Sequence, residues 1–227
     1  MQPDVNPKFD AYASSYESLH NASISASGEG PAYFAEYKVN CLLREGLPSS
    51  ARILDYGCGI GNVLVPLGQA FRTIHGFDPS TESLRVARER APAAVLHSDI
   101  TAVPNGFFEA VVLSGVLHHV PPAERSATID QAVEKLSPGG KLFVFEHNPF
   151  NPLTRRAVAT CPFDDDAILL WPWQARATLE RGRLDAIRLD YIVFFPKPLA
   201  FLRKLEPHLD WLPIGAQMMV VGTRPIR

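Results

Sequence analysis

The chain has 227 residues, enough for one domain with a substantial core. A formal net charge of −2, from 22 basic and 24 acidic residues with no dense Lys/Arg run, argues against a general nucleic-acid binder. Met1–Asp10 lacks an apolar signal core, and no apolar run approaches the roughly 20 residues that span a bilayer. Three scattered cysteines, Cys41, Cys58 and Cys161, lack metal-ligand spacing. A cytoplasmic protein with no membrane span and no zinc site is therefore expected.

In chain order, Phe9, Tyr12, Tyr16 and Leu19 recur at helical spacing and predict a short amphipathic helix. Ser23 to Gly30 reads as a loop. Pro31 to Glu45 is a second helix, stopped by Gly46 and Pro48. From Ala51 the alternation becomes regular. Ala51–Asp55, Arg72–Asp78, Ala94–His97, Phe108–Leu113 and Lys141–Glu146 read as strands. Between them lie helices at Val63–Phe71, after Ser80, and from Pro122 to Leu136, the last closed by Pro138-Gly139-Gly140. This spacing predicts a doubly wound, mostly parallel α/β sheet with helices on both faces. After Glu146 the chain turns proline-rich. Helical pieces are expected at Leu153–Thr160, Asp165–Leu170, Gln174–Arg181 and Leu199–Leu209. Strands at Leu184–Phe195 and Gln217–Gly222 bring the count to seven, with a terminal antiparallel strand.

The most informative stretch is Asp55-Tyr56-Gly57-Cys58-Gly59-Ile60-Gly61-Asn62, where a strand runs into three alternating glycines and then a helix. A dinucleotide fingerprint would place its third glycine at Asn62. The acid here precedes the glycines. A carboxylate there repels a pyrophosphate and holds an ammonium group, which favours a cationic ligand over NAD. Asp55 has a second possible part, bracing the loop by accepting backbone N–H groups. Asp55, Gly57, Gly59 and Gly61 resemble the S-adenosylmethionine (SAM) loop of class I methyltransferases, small-molecule type. Specific motifs carry the resemblance over roughly residues 51–147, and element order carries it beyond.

The resemblance implies SAM as cofactor, with Asp55 and the glycines near its methionine moiety. Asp78-Pro79 ends the second strand at the ribose, and Asp99-Ile100 follows the third at the adenine. The competing readings are that Asp78 caps the next helix and Asp99 caps a turn before Thr101. Lys38, 19 residues before Gly57, resembles the cation that meets the SAM carboxylate in quinone-biosynthesis methyltransferases; a solvated lysine is the alternative. Ser114 ends the fourth strand and joins the cofactor set. His118-His119 resembles the paired histidines after strand four of small-molecule methyltransferases.

His119, Glu146 and His147 are the catalytic candidates for removing an acceptor proton, with His118 ranked behind His119. Adjacent histidines are expected to diverge, so no metal is called for. Asp164-Asp165-Asp166 is read as capping a helix from Ala167, because successive helical side chains fan out by about 100°. The Asn148–Asn151 loop is expected to wall the acceptor pocket. Tyr12, Tyr16, Phe34, Trp171, Trp173, Tyr191, Phe194 and Phe195 are candidate cover for a small organic acceptor.

The whole is read as a single methyltransferase domain, 1–227. Within it, 1–48 is a helical cap, 51–147 the SAM-binding core, and 148–227 the acceptor-side inserts and terminal strands. Its expected activity is metal-independent in-line transfer to a small molecule. The alternative is a SAM- or nucleoside-binding regulatory or scaffold protein.

Overall fold

A computed structural model describes Asp10, Tyr12 and residues 16–226. Phe9, part of the first expected helix, lies outside them. Helices α1 (Tyr16–Ile24) and α2 (Pro31–Arg44) precede the sheet. The alternating core follows as β1 (Arg52–Tyr56), α3 (Leu64–Ala70), β2 (Thr73–Phe77), α4 (Thr81–Arg90), β3 (Val95–His97), β4 (Phe108–Ser114), α5 (Arg125–Lys135) and β5 (Leu136–His147). Then come α6 (Pro152–Ala159), α7 (Pro172–Arg181), β6 (Asp185–Ile192), a 3₁₀ stretch (Lys197–His208) and β7 (Gln217–Thr223). The seven strands lie in the order β3-β2-β1-β4-β5-β7-β6. Among these strands β7 alone runs antiparallel, slotted between β5 and β6.

Two hydrophobic layers sandwich the sheet because neighbouring strand residues face opposite ways. Ile53, Ala110, Val112, Phe143 and Phe145 face one side with Leu42 of α2, Leu64 of α3 and Leu84 of α4. Leu54, Val111, Leu113, Leu142 and Val144 face the other with Ile129 of α5 and Leu179 of α7. Phe143 and Phe145 are essentially sealed. Emptying either site to alanine would cost about 3–5 kcal/mol.

Three expectations are corrected. First, α5 ends at Lys135, and β5 begins at Leu136 rather than Lys141. Leu136 pairs with Phe108, a bulge follows before Ala110, and the Ser137 hydroxyl donates to the Phe108 carbonyl. The Pro-Gly-Gly run therefore belongs to an irregular strand entry. Second, no α-helix forms at Asp165–Leu170. A 3₁₀ turn at Pro162–Asp164 leads into extended chain. The segment is tied elsewhere, with Ile168 N–H donating to the His118 carbonyl at 2.8 Å. Third, the helix expected at Leu199–Leu209 is a 3₁₀ stretch at Lys197–His208, with Pro207 inside it and Leu209 capping it. Among the described residues, no helix is long and apolar enough to cross a membrane, and the three cysteines are free and buried.

Candidate functional site

The carboxyl ends of β1, β2, β4 and β5 open into a cavity of about 310 Å³, where parallel α/β sheets place ligands. Its lining includes Lys38, Asp55, Gly57, Gly59, Asp78, Pro79 and Ser114, and also His118, His119, Glu146 and His147. Two halves can be distinguished by their chemistry.

The first half is the glycine loop and its acids. Gly57 (φ +77°) turns β1 out of the sheet, and its N–H and that of Cys58 both donate to the Phe77 carbonyl. A Cβ on Gly57 would lie 2.6 Å from a Val116 methyl, so the position takes no side chain. Gly61 (φ +84°) lets α4 approach; a Cβ there would sit 3.3 Å from the Ala87 backbone. Gly61 thus serves helix packing and does not line the cavity.

Asp55 is 1% exposed, and neither of its carboxylate oxygens has a hydrogen-bond partner. Burial pushes its pKa up to about 7; nearby Asp78 adds to the rise and Lys38 opposes it. The bracing role considered for Asp55 is therefore not its role. Asp78 does the bracing: it accepts from Gly59 N–H at 2.8 Å and Ser80 N–H at 2.9 Å. The helix cap is Ser80, whose hydroxyl accepts from Ser83 N–H at 3.0 Å. Lys38 is half-buried rather than solvated. Its ammonium donates to Ser114 Oγ at 2.8 Å, and burial pulls its pKa down to about 8 against the pull of Asp55 and Glu146. Asp99 is exposed and accepts from Thr101 N–H at 2.8 Å. It fills the turn-cap role, and neither it nor Ile100 reaches the cavity lining.

The second half is a histidine–carboxylate cluster. His118 Nδ1 lies 2.6 Å from Glu146 Oε2, both buried, and Glu146 Oε1 accepts from Leu117 N–H at 2.8 Å. Asp164 Oδ1 stands 3.8 Å from His118 Nε2 and 3.3 Å from His119 Nε2. Burial works to discharge His118, but Glu146 and Asp164 together outweigh it and raise its pKa to about 9. Burial and the His118 charge drop His147 to about 3, so it is a neutral imidazole. Asp164 is held below the usual carboxylate range by His118 and His119, against its burial.

The expectation that adjacent histidines diverge is corrected: side-chain donor atoms of His118, His119 and Asp164 lie within 4.8 Å of one another. The short 3₁₀ turn Leu117–His119 folds the two rings to 4.1 Å between centroids. The helix-cap reading of the aspartate run also fails, since Asp164 turns inward to the histidines. His118, ranked behind His119 in sequence, is the more deeply engaged of the pair. Asp164 could not be located from sequence, because only the irregular chain after Cys161-Pro162 brings it there.

The Asn148–Asn151 loop does not wall the cavity. Asn148 is sealed, its amide donating to the Pro213 and Gly215 carbonyls, and Asn151 caps α6. Of the aromatic candidates whose side chains are described, only Phe34 lines the cavity, joined by Phe145 and Phe163. Trp171 and Trp173 stack on the surface beside Phe150.

Sheet order, glycine loop and strand-end acids are those of the class I SAM-dependent methyltransferases. The chain belongs to the methyltransferase domain family, whose model matches residues 32–185. It is 29% identical over 150 residues to uncharacterized methyltransferases of Bacillus thuringiensis and Bacillus cereus. Those matches cover 63% of this chain and 66% of the relatives, just under two thirds of their length. In fold it is similar to a Thermotoga maritima SAM-dependent methyltransferase (TM-score 0.67, 19% identity, 96% of this chain and 98% of that one). It is similar too to Synechocystis magnesium protoporphyrin IX methyltransferase with bound S-adenosylhomocysteine (TM-score 0.64, 16% identity, 98% and 100%). SAM is the cofactor of the class. The residues present fit it: an orphaned buried carboxylate at Asp55 and a cradle at Gly57 that a Cβ would fill.

Proposed function

We propose that the protein transfers a methyl group from SAM to a small organic acceptor held in the same cavity. The observation that carries this reading is Asp55, a sealed carboxylate without a partner at the mouth of the glycine loop. Leaving a buried acid unpaired costs free energy that a ligand ammonium would offset. In this reading Gly57 and Gly59 let the ligand approach the backbone, Asp78 takes the ribose hydroxyls, and Lys38 meets a carboxylate. The roles assigned to Asp99 and Ile100 have no support from the cavity lining.

Bound there, SAM supplies a methyl already activated by its sulfonium charge. The chain's task is to hold the acceptor in line and exclude water. Phe34, Phe145 and Phe163 give the cavity an apolar wall, which suits a small organic acceptor better than a polymer. Glu146 fixes the His118 ring, and His118, His119 and Asp164 present polar atoms to the acceptor's reacting group. We assign acceptor binding to α1, α2 and the 160–164 segment together, within one domain. Among residues 148–227, Ala157, Val158, Phe163, Asp164 and Gln217 contribute to the lining.

The test is transfer of tritiated methyl from SAM to a metabolite extract cleared of macromolecules. Label should appear in a small molecule with the wild type and not with Asp55→Asn. SAM binding without transfer to any extract fraction would favour a regulatory binding protein instead.

A further inference from the structure

We propose that His118, His119 and Asp164 form a site for one divalent first-row transition ion, with its open side facing the cavity. Three observations carry it. The first is spacing. Asp164 Oδ1 lies 3.3 Å from His119 Nε2 and 3.8 Å from His118 Nε2. Good N–H···O bonds fall at about 2.7–3.2 Å, so both contacts are long for hydrogen bonds. Two ligands at about 2.0–2.1 Å from a tetrahedral ion stand about 3.3–3.5 Å apart, which these distances bracket with small adjustment.

The second is the group behind the histidine. His118 Nδ1 meets Glu146 Oε2 at 2.6 Å, a true hydrogen bond. Donation from Nδ1 leaves Nε2, which faces Asp164, as the nitrogen that would give up its proton to an ion. A carboxylate on the far nitrogen is the usual support of a metal-bound imidazole. Glu146 is itself held by Leu117 N–H.

The third is bracing. The two ligand-bearing segments are tied together away from the ligands. Ile168 N–H donates to the His118 carbonyl, and buried Arg125 donates to the carbonyls of Val120 and Ile168. The site is thus preorganised by groups that would not touch the ion.

Two imidazoles and one carboxylate suit zinc, iron(II) or cobalt(II) better than magnesium or calcium. All three ligands line the cavity that also holds Asp55. The remaining coordination positions are therefore available to water or to an oxygen of the acceptor, whose pKa the ion would lower. The proposal is independent of methyl transfer, since metal binding and SAM binding are measured separately.

The experiment is calorimetric titration of the chelator-treated full chain with Zn²⁺, and with Co²⁺ followed by its visible absorption. One ion per chain is expected, with a low-symmetry cobalt spectrum. Asp164→Asn and His119→Gln should each weaken binding by roughly a hundredfold. Glu146→Gln should weaken it by about 10–100-fold, as for other outer carboxylates. A His75→Gln/His97→Gln double variant removes the other close histidine pair, 3.0 Å apart, and should bind as the wild type does. SAM affinity reports folding of each variant; should Asp164→Asn fail to fold, His119→Gln decides. Absence of saturable Zn²⁺ and Co²⁺ binding to the wild type would overturn the proposal. So would undiminished binding by folded His119→Gln, or loss confined to the His75/His97 variant.

Discussion

The two halves of the cavity solve opposite electrostatic problems. At the glycine loop, Asp55 is buried with both oxygens unpartnered, and Lys38 is its nearest compensation. At the histidine cluster, Glu146 is already paired with His118 and with a backbone N–H. The first half is strained until a cation arrives. The second is wired beforehand and presents a fixed geometry. On the proposed function, a single cavity divides into a part that gains by binding and a part that orients what is bound.

The sharpest way to break this division is at Glu146. If its half serves only the acceptor, Glu146→Gln should cut turnover by roughly 10²-fold or more while SAM affinity stays within about threefold. Steady-state methyl transfer beside calorimetry reads both, and equal losses would merge the halves. Asp55→Asn should do the reverse, weakening SAM by about 3 kcal/mol, on the order of a hundredfold. Gly57→Ala forces a side chain to φ +77° and toward Val116. We expect a loss of about 1–3 kcal/mol in thermal or urea unfolding, together with weaker SAM binding. Adding Val116→Ala should recover the steric part and not the backbone part.

The smallest effect is in pH. The ligand-free fold keeps the Asp55 proton up to about pH 7, against an ordinary aspartate value of 3.8. Ionising it therefore costs stability as pH rises through that window, and a bound ammonium recovers the cost. SAM affinity should fall roughly tenfold from about pH 7.5 to about pH 6, and Asp55→Asn should flatten that slope.

The same contrast explains what was legible in sequence. The glycine-loop half is written locally: β1, its glycines and Asp78 follow one another at the spacing of a single βα unit and the next strand. Short continuous apolar runs in β1, β4 and β5, buried on both faces, also made the sheet readable. The histidine half is assembled from β4's exit, β5's end and a segment with no periodicity. His118 and Asp164 are 46 residues apart and meet because the chain after Cys161-Pro162 leaves helical geometry. Asp164-Asp165-Asp166 looked like a helix cap for the same reason, since local propensity carries no information about the His118 carbonyl that captures Ile168. Asn148 misled in the other direction: a polar residue in a proline-rich loop turned out to be a sealed brace. Asp99 shows that spacing alone does not deliver a side chain into a cavity.

A crystal structure of the chain with S-adenosylhomocysteine tests the central claim most directly. The account predicts the ligand's ammonium at about 3 Å from an Asp55 oxygen, a distance set by a charge-assisted hydrogen bond. Its sulfur should face the side of the cavity that holds His118, His119 and Asp164. A ligand seated outside the glycine loop, with Asp55 still unpartnered, would contradict it.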